Sequence, residues 1–334
     1  MPEPSPTSSK RRGRLFRFGA AFVVLSAVAG YLVVQYVTGG TAGPGCRVVS
    51  GDDDGAVYEF TPEQAVNAAT ISAVGTDRGL PERAVTIALA TALQESGLRN
   101  IEHGDRDSLG LFQQRPSQGW GTEKQIMDPT YAAGIFYEHL VKVSGYTKLP
   151  LTVAAQRVQR SGYPEAYAKH EPDATLLAAA LTGRAAATLT CEGRPAAAAT
   201  AGPDAVRTAL VRDFGRDALQ EAGAEVSGSG GGSGTKAAST PAPGVTAESS
   251  GRTVTVPVPS ATGDSAGRSS EERGWQLAHW AVANSSALHI ARVAYAGREW
   301  TAGSTDSQWR TTGARSDGGA ERAAADSVRI VTAQ

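Results

Sequence analysis

The stretch Ala88–Trp120, ALATALQESGLRNIEHGDRDSLGLFQQRPSQGW, decides how the rest of the chain is read. Leu80-Pro81 opens the helix that enters it, and Val85, Ala88, Leu89 and Ala92 form an apolar stripe at the 3.6-residue period. Gly97 is placed to end that helix, because glycine adopts the left-handed closing conformation without steric cost. Glu95 follows Ala92 by three residues and Ala88 by seven, so it falls on or beside the stripe in the last turn. Burial disfavours a charged carboxylate, and the negative end of the helix dipole acts in the same direction, so both raise its pKa. A carboxyl group that holds its proton near neutral pH can serve as a general acid. The competing reading is an ordinary solvated glutamate, and the residue taken alone favours it.

Its neighbours reverse that balance. Glu95-Ser96-Gly97, followed by Ser108-Leu109-Gly110-Leu111-Phe112-Gln113, resembles the signature of the soluble lytic transglycosylases and goose-type lysozymes, an E-S pair at a helix end and then a G-L-hydrophobic-Q segment. The resemblance runs from about Phe60 to Glu171. It implies a lysozyme-like fold in which Glu95 protonates the glycosidic oxygen between N-acetylmuramic acid and N-acetylglucosamine. Ser96, Ser108, Gln113 and Gln114 would line the cleft. GDRDSLGLFQQRPSQGWGT (104–122), MDPTYAAGIFYEHL (127–140) and LTVAAQRVQRSGYPEAY (151–167) further resemble a lysozyme-like module of exported actinobacterial proteins.

The chain departs from that family on a later helix, where a Tyr-Asn pair helps to seat the sugar and the acid. Residues 154–161, AAQRVQRS, offer the amide of Gln156 and no tyrosine. Tyr163 and Tyr167 are candidates to replace it, and Gln156 and Tyr163 join the expected substrate-binding set. Glycoside hydrolysis ordinarily uses two carboxyl groups. The resemblance implies that one suffices, because the substrate's own N-acetyl and C6 hydroxyl groups attack the anomeric centre and release a 1,6-anhydro product. Asp105 and Asp107 are candidates for a second carboxylate in a hydrolytic variant. The favoured alternative is a hydrogen-bonded loop in which Asp107 contacts nearby backbone amides. Trp120, between Gly119 and Gly121, is either a sugar-stacking platform or a buried aromatic. His103, His139 and His170 lack metal-ligand spacing, so neither a metal nor a cofactor is expected.

Upstream, Thr61, Pro62 and Gln64 carry a helix-start signal, an N-cap, a first-turn proline and a capping-box partner, for a helix ending near Gly75–Gly79. Phe18–Val37 is uncharged over 20 residues, long enough for a single transmembrane helix. The formal net charge is −1, but the first 17 residues carry +4 and the remainder −5. That basic flank puts the N-terminus in the cytoplasm and the bulk of the chain outside it, with a cleaved signal peptide as the competing reading. A mildly acidic remainder excludes nucleic acid as a partner. The only cysteines, Cys46 and Cys191, bracket the motif region and are expected to pair in an oxidising compartment.

Downstream, Asp204–Glu221 reads as an amphipathic helix, Ser227–Gly244 as flexible, Thr253–Val258 as a strand, and Gly274–Asn284 as a helix followed by strands Ile290–Tyr295 and Ser327–Thr332. This last part resembles a degenerate D-Ala-D-Ala-peptidase-like module, with Ala324–Ile330 where the relatives carry a His-rich run. A binding or structural role is therefore expected there.

The expected fold class is α+β. A basic tail (1–17), a transmembrane helix (18–37) and a spacer (38–59) precede a mostly α lysozyme-like domain (60–192). A connector (193–226), a flexible segment (227–250) and a small α+β domain (251–334) follow. The expected function is a membrane-anchored enzyme cleaving peptidoglycan glycan strands, a lytic transglycosylase or muramidase. A catalytically weak glycan-binding or scaffolding protein is the alternative, and a transport-associated role has the least support. Protein partners are not specified by the sequence.

Overall fold

The computed structural model describes residues 45–52, 54–160, 164–192, 202–215, 251–258, 267–303, 308–312 and 326–333. Two long helices form its centre, α1 (Pro62–Asp77) and α2 (Glu82–Ser96). The capping box at Thr61 is present: its hydroxyl accepts the Gln64 N–H, and Gln64 Oε1 accepts the Thr61 N–H at 2.8 Å. α1 ends at Asp77, within the Gly75–Gly79 stretch where the sequence places its end, and Gly75 in its last turn has a packing role. Tyr137 crosses α1 at that point and donates its hydroxyl to the Ile71 carbonyl at 3.0 Å, and a Cβ on Gly75 would lie 2.6 Å from that hydroxyl.

Around this pair lie α3 (Glu123–Ile126), α4 (Pro129–Leu140), α5 (Leu151–Gln159), a 3-10 helix (Pro164–His170) and α6 (Glu171–Leu181). Phe136, Tyr137 and Leu140 are fully buried, as the sequence pattern of α4 suggests. Strands β1 (Cys46–Val49), β2 (Val57–Phe60) and β3 (Leu189–Cys191) form an antiparallel sheet in the order β2-β1-β3. Cys46 faces Cys191 in that register and the two form a disulfide. It closes a loop spanning 145 positions, a constraint on the unfolded chain worth about 5 kcal/mol in the loop-entropy account.

Then come α7 (Pro203–Phe214), β4 (Thr253–Pro257), α8 (Ser270–Ala283), β5 (Ile290–Tyr295), β6 (Arg298–Thr301), β7 (Arg310–Thr311) and β8 (Ser327–Thr332). The strands make one antiparallel sheet in the order β4-β8-β5-β6-β7. α8 packs against β5 and β8 and also against α1, α6 and β3. Nine of its residues are buried, on more than one face, the signature of an internal helix. Polar side chains fasten it: Gln276 Nε2 donates to Thr76 Oγ1, His279 lies between the Ala180 carbonyl (2.7 Å) and the Thr188 N–H (3.2 Å), and Trp280 Nε1 donates to Asp213 (2.8 Å).

The described residues from 45 onward form one compact unit of mixed helix and sheet. The expected fold class is corrected in its transmembrane helix: no helix among the described residues is long and apolar enough to cross a membrane. The longest, α1, has 16 residues, about 24 Å against the roughly 30 Å required. The expected span at 18–37 and the expected flexible segment at 227–250 lie outside the described residues.

Candidate functional site

α2 ends where the sequence indicates, and the closure is built with care. Gly97 (φ 62) and Leu98 (φ 59) are both left-handed, and their N–H groups return to the Leu93 and Ala92 carbonyls. A left-handed leucine costs about 1 to 3 kcal/mol, which its complete burial helps to offset. Two side chains of α1 clamp the reversal: Gln64 Nε2 donates to the Gly97 carbonyl and Asn67 Nδ2 to the Leu98 carbonyl, each at 2.8 Å. The last turn of α2 is thereby fixed against α1, and Glu95 with it.

Glu95 is half-buried in that turn. Tyr167 donates its hydroxyl to Glu95 Oε1 at 2.6 Å. Gln159, the last residue of α5, also bonds to the carboxylate and donates Nε2 to the Phe112 carbonyl at 2.7 Å. Desolvation raises the Glu95 pKa, and it outweighs the two hydrogen bonds, which act in the opposite direction. In a 3-10 helix residues three apart project together. Tyr167 and His170 accordingly both face the end of α2, where His170 Nε2 lies 3.1 Å from Gln94 Oε1. Burial lowers the His170 pKa, with Lys169 adding to the effect, so the ring is neutral at pH 7 and donates to the amide oxygen.

The segment after α2 folds back as a small hairpin in which Leu109 and Gln114 exchange backbone hydrogen bonds of 2.9 and 3.0 Å. Gly110 (φ 74) makes its turn, and a Cβ there would sit 2.8 Å from the Ile126 carbonyl. Ser96 is buried and ties the acid's helix to this hairpin, with Oγ 2.8 Å from the Leu111 carbonyl and accepting the Arg99 N–H at 3.2 Å. Ser108 is buried too, and Gln114, 1 % exposed, donates to the Ala132 carbonyl. These three therefore shape the wall from behind. Gln113 is half-buried at φ 48, bonded to the Gly110 carbonyl and packed against Gly104.

Trp120 is buried, its ring stacked on His139 at 4.3 Å, and Tyr131 donates to its carbonyl. That is the buried-aromatic alternative. Asp107 accepts from the Ser117 N–H at 2.9 Å and from Arg115 Nε at 2.6 Å, and hydrogen bonds from Ser117, with Arg115 adding to them, hold its pKa well below the usual carboxylate range. It staples the loop. Asp105 is solvent-exposed, with Arg106 at 3.9 Å. Gln156 is half-buried on α5, one turn before Gln159, and Tyr163 lies outside the described residues. No group of three or more His, Cys, Asp or Glu among the described residues could hold a metal ion.

The sequence analysis offers Gln156, with Tyr163 or Tyr167, beside Glu95; the structure puts Tyr167 and Gln159 on the Glu95 carboxylate. Gln159 is three residues after Gln156 on the same helix, so the face was legible and the turn was not. Gln159 is the last residue of that helix, directly before the left-handed Arg160 (φ 53).

A family model described as VldE, C-terminal domain, matches residues 216–323. That is less than half of the chain, and it covers β4, α8 and β5 to β7 but not the residues around Glu95. No curated protein matches the chain.

Proposed function

We propose that the protein cleaves glycosidic bonds in peptidoglycan outside the cytoplasm, with Glu95 as its general acid. The observation that carries this reading is the state of the Glu95 carboxyl: desolvated enough to raise its pKa, yet oriented by Tyr167 and Gln159. Such a group takes up a proton more readily than an exposed glutamate and is fixed in place to deliver it to a leaving-group oxygen. Orientation without full neutralisation suits an acid that must also carry negative charge after the transfer. The Cys46–Cys191 disulfide supports an oxidising compartment.

The lyase route fits these residues better than hydrolysis. Asp107 is committed to Arg115 and Ser117, which removes one of the two candidates for a base or nucleophile. With one acid, the anomeric carbon is attacked by the substrate's own groups, its N-acetyl oxygen and then its C6 hydroxyl. Glu95, deprotonated by the first step, takes the C6 hydroxyl proton in the second, so the proton balance closes on one residue.

Incubation with purified peptidoglycan, followed by mass spectrometry of the soluble fraction, tests this directly. The lyase reading predicts 1,6-anhydromuropeptides from the wild type and none from Glu95→Gln. Reducing-end products would indicate hydrolysis and move attention to Asp105. A binding-only module, favoured by the absence of the family's Tyr-Asn pair, predicts co-sedimentation with peptidoglycan and no products from either protein.

A further inference from the structure

Tyr167 reaches the acid from a 3-10 helix of seven residues, Pro164–His170. Hydrogen-bond geometry is poorer in such a helix than in an α-helix, so the segment's own backbone holds a side chain only weakly in place. A single hydrogen bond to Glu95 leaves the segment free to turn about that bond. His170 removes this freedom: its Nε2 lies 3.1 Å from Oε1 of Gln94, the residue directly before the acid. Neighbours in an α-helix stand about 100° apart around its axis, so Tyr167 and His170 grip the last turn of α2 at two separate points. His170 is also the N-cap residue of α6, yet its side chain makes no cap hydrogen bond there. Residues favoured at an N-cap turn their side chains onto the N–H groups of their own helix, whereas this imidazole is turned onto α2. The ion pair between Glu171 and Arg83, at 2.6 Å, meets α2 near its other end, about 16 Å along the axis from Gln94, and cannot replace His170 beside the acid.

We propose that His170 is a positioning residue: by holding the 3-10 helix to Gln94 it keeps the Tyr167 hydroxyl on the Glu95 carboxylate. It acts on the acid through Tyr167. The consequence for cleavage rests on the role proposed for Glu95, while the consequence for the titration of Glu95 does not.

The test follows the Glu95 carboxyl by carbon-13 titration in the full disulfide-bonded chain. The Tyr167 hydrogen bond holds the Glu95 pKa down against desolvation, so loosening the phenol moves the midpoint up. His170→Ala should raise it by about half a pH unit, and Tyr167→Phe by more, because a loosened bond is not a lost one. Gln94→Ala removes the same contact from the α2 side and should give the same rise, which decides the matter if His170→Ala does not fold. His170→Gln, whose amide nitrogen donates from nearly the place of Nε2, should restore the wild-type midpoint. In a Tyr167→Phe background, His170→Ala should add nothing. A midpoint left unchanged by His170→Ala or by Gln94→Ala overturns the proposal. So does a rise as large in the Tyr167→Phe background as in the wild type, which would mean that the imidazole acts on the acid directly. If the wild type cleaves peptidoglycan, His170→Ala should lower kcat about fivefold with KM unchanged. If it cleaves nothing, the cleavage reading fails and the titration still decides this one.

Discussion

Two carboxylates in this molecule are taken out of water in opposite ways. Asp213 on α7 is 1 % exposed and receives four hydrogen bonds: two from Arg212, at 2.7 and 3.0 Å, one from Trp280 at 2.8 Å and one from Thr70 at 3.3 Å. It joins α1, α7 and α8 and has a permanent counter-charge. Glu95 at the end of α2 is bonded by a phenol and an amide and, among the described residues, forms no ion pair; desolvation prevails and its pKa rises. Pairing makes a buried carboxylate a structural fastener, whereas burial without a counter-charge leaves a proton to give.

The largest expected effect is on cleavage. Glu95→Gln should reduce it by about 10²- to 10⁴-fold, the usual contribution of a general acid. Stability should move the other way. A folded pKa above the unfolded one contributes stability only at low pH, lost as the pH rises through the folded value, so at pH 7 the neutral glutamine should equal or exceed the wild type in thermal denaturation. Asp213→Ala comes next: leaving Arg212 and Trp280 without their acceptor should cost about 3 to 5 kcal/mol in chemical denaturation. A loss as small as that of an exposed substitution would remove the distinction between the two sites.

His279 sharpens the comparison from the basic side. Fully buried, with Nδ1 toward the Ala180 carbonyl and Nε2 accepting the Thr188 N–H, it is a neutral ring whose pKa desolvation pushes down to about 4. Its contribution is fully present above pH 6.5 and is lost as the pH falls toward the folded value, about 3 kcal/mol between those limits. Denaturation profiles of the wild type and His279→Gln should therefore converge on acidification. Parallel profiles would show that the ring is not buried neutral.

A smaller effect is expected from Tyr167→Phe. Removing a donor to the carboxylate favours the protonated form, so the alkaline limb of activity should move to higher pH while the maximal rate falls about tenfold through lost orientation. A limb that moves to lower pH would assign Tyr167 another role. Thr61→Ala should cost only about 1 kcal/mol by removing the α1 cap, without altering the pH profile.

The helical part was legible because local rules and tertiary packing agree there. The Thr61-Pro62-Gln64 signal, the stripe of α2 and Gly97 each specify their outcome within one or two turns. The end of α1 near Gly75–Gly79 was legible too, but the packing role of Gly75 was not, because it lies in Tyr137, sixty-two positions away. Distance in sequence also hid Gln159, whose partners Glu95 and Phe112 lie far from its own helix in the chain. α8 looked like part of a separate module: its apolar residues do not say which surfaces cover them, and the roles of Gln276 and His279 as links to α1 and α6 appear only when the partners are in place. Ser96, Ser108 and Gln114 were expected to line the cleft and are buried, Ser96 bonded to the Leu111 carbonyl of the hairpin and Gln114 to the Ala132 carbonyl of α4.

The most direct test of this account is a carbon-13 titration of the Glu95 carboxyl, set beside the pH dependence of peptidoglycan cleavage. The account predicts that the carboxyl titrates above the usual glutamate range and that the alkaline limb of cleavage falls at the same pH. A Glu95 that titrates like an exposed glutamate, or a limb that ignores its titration, would contradict it.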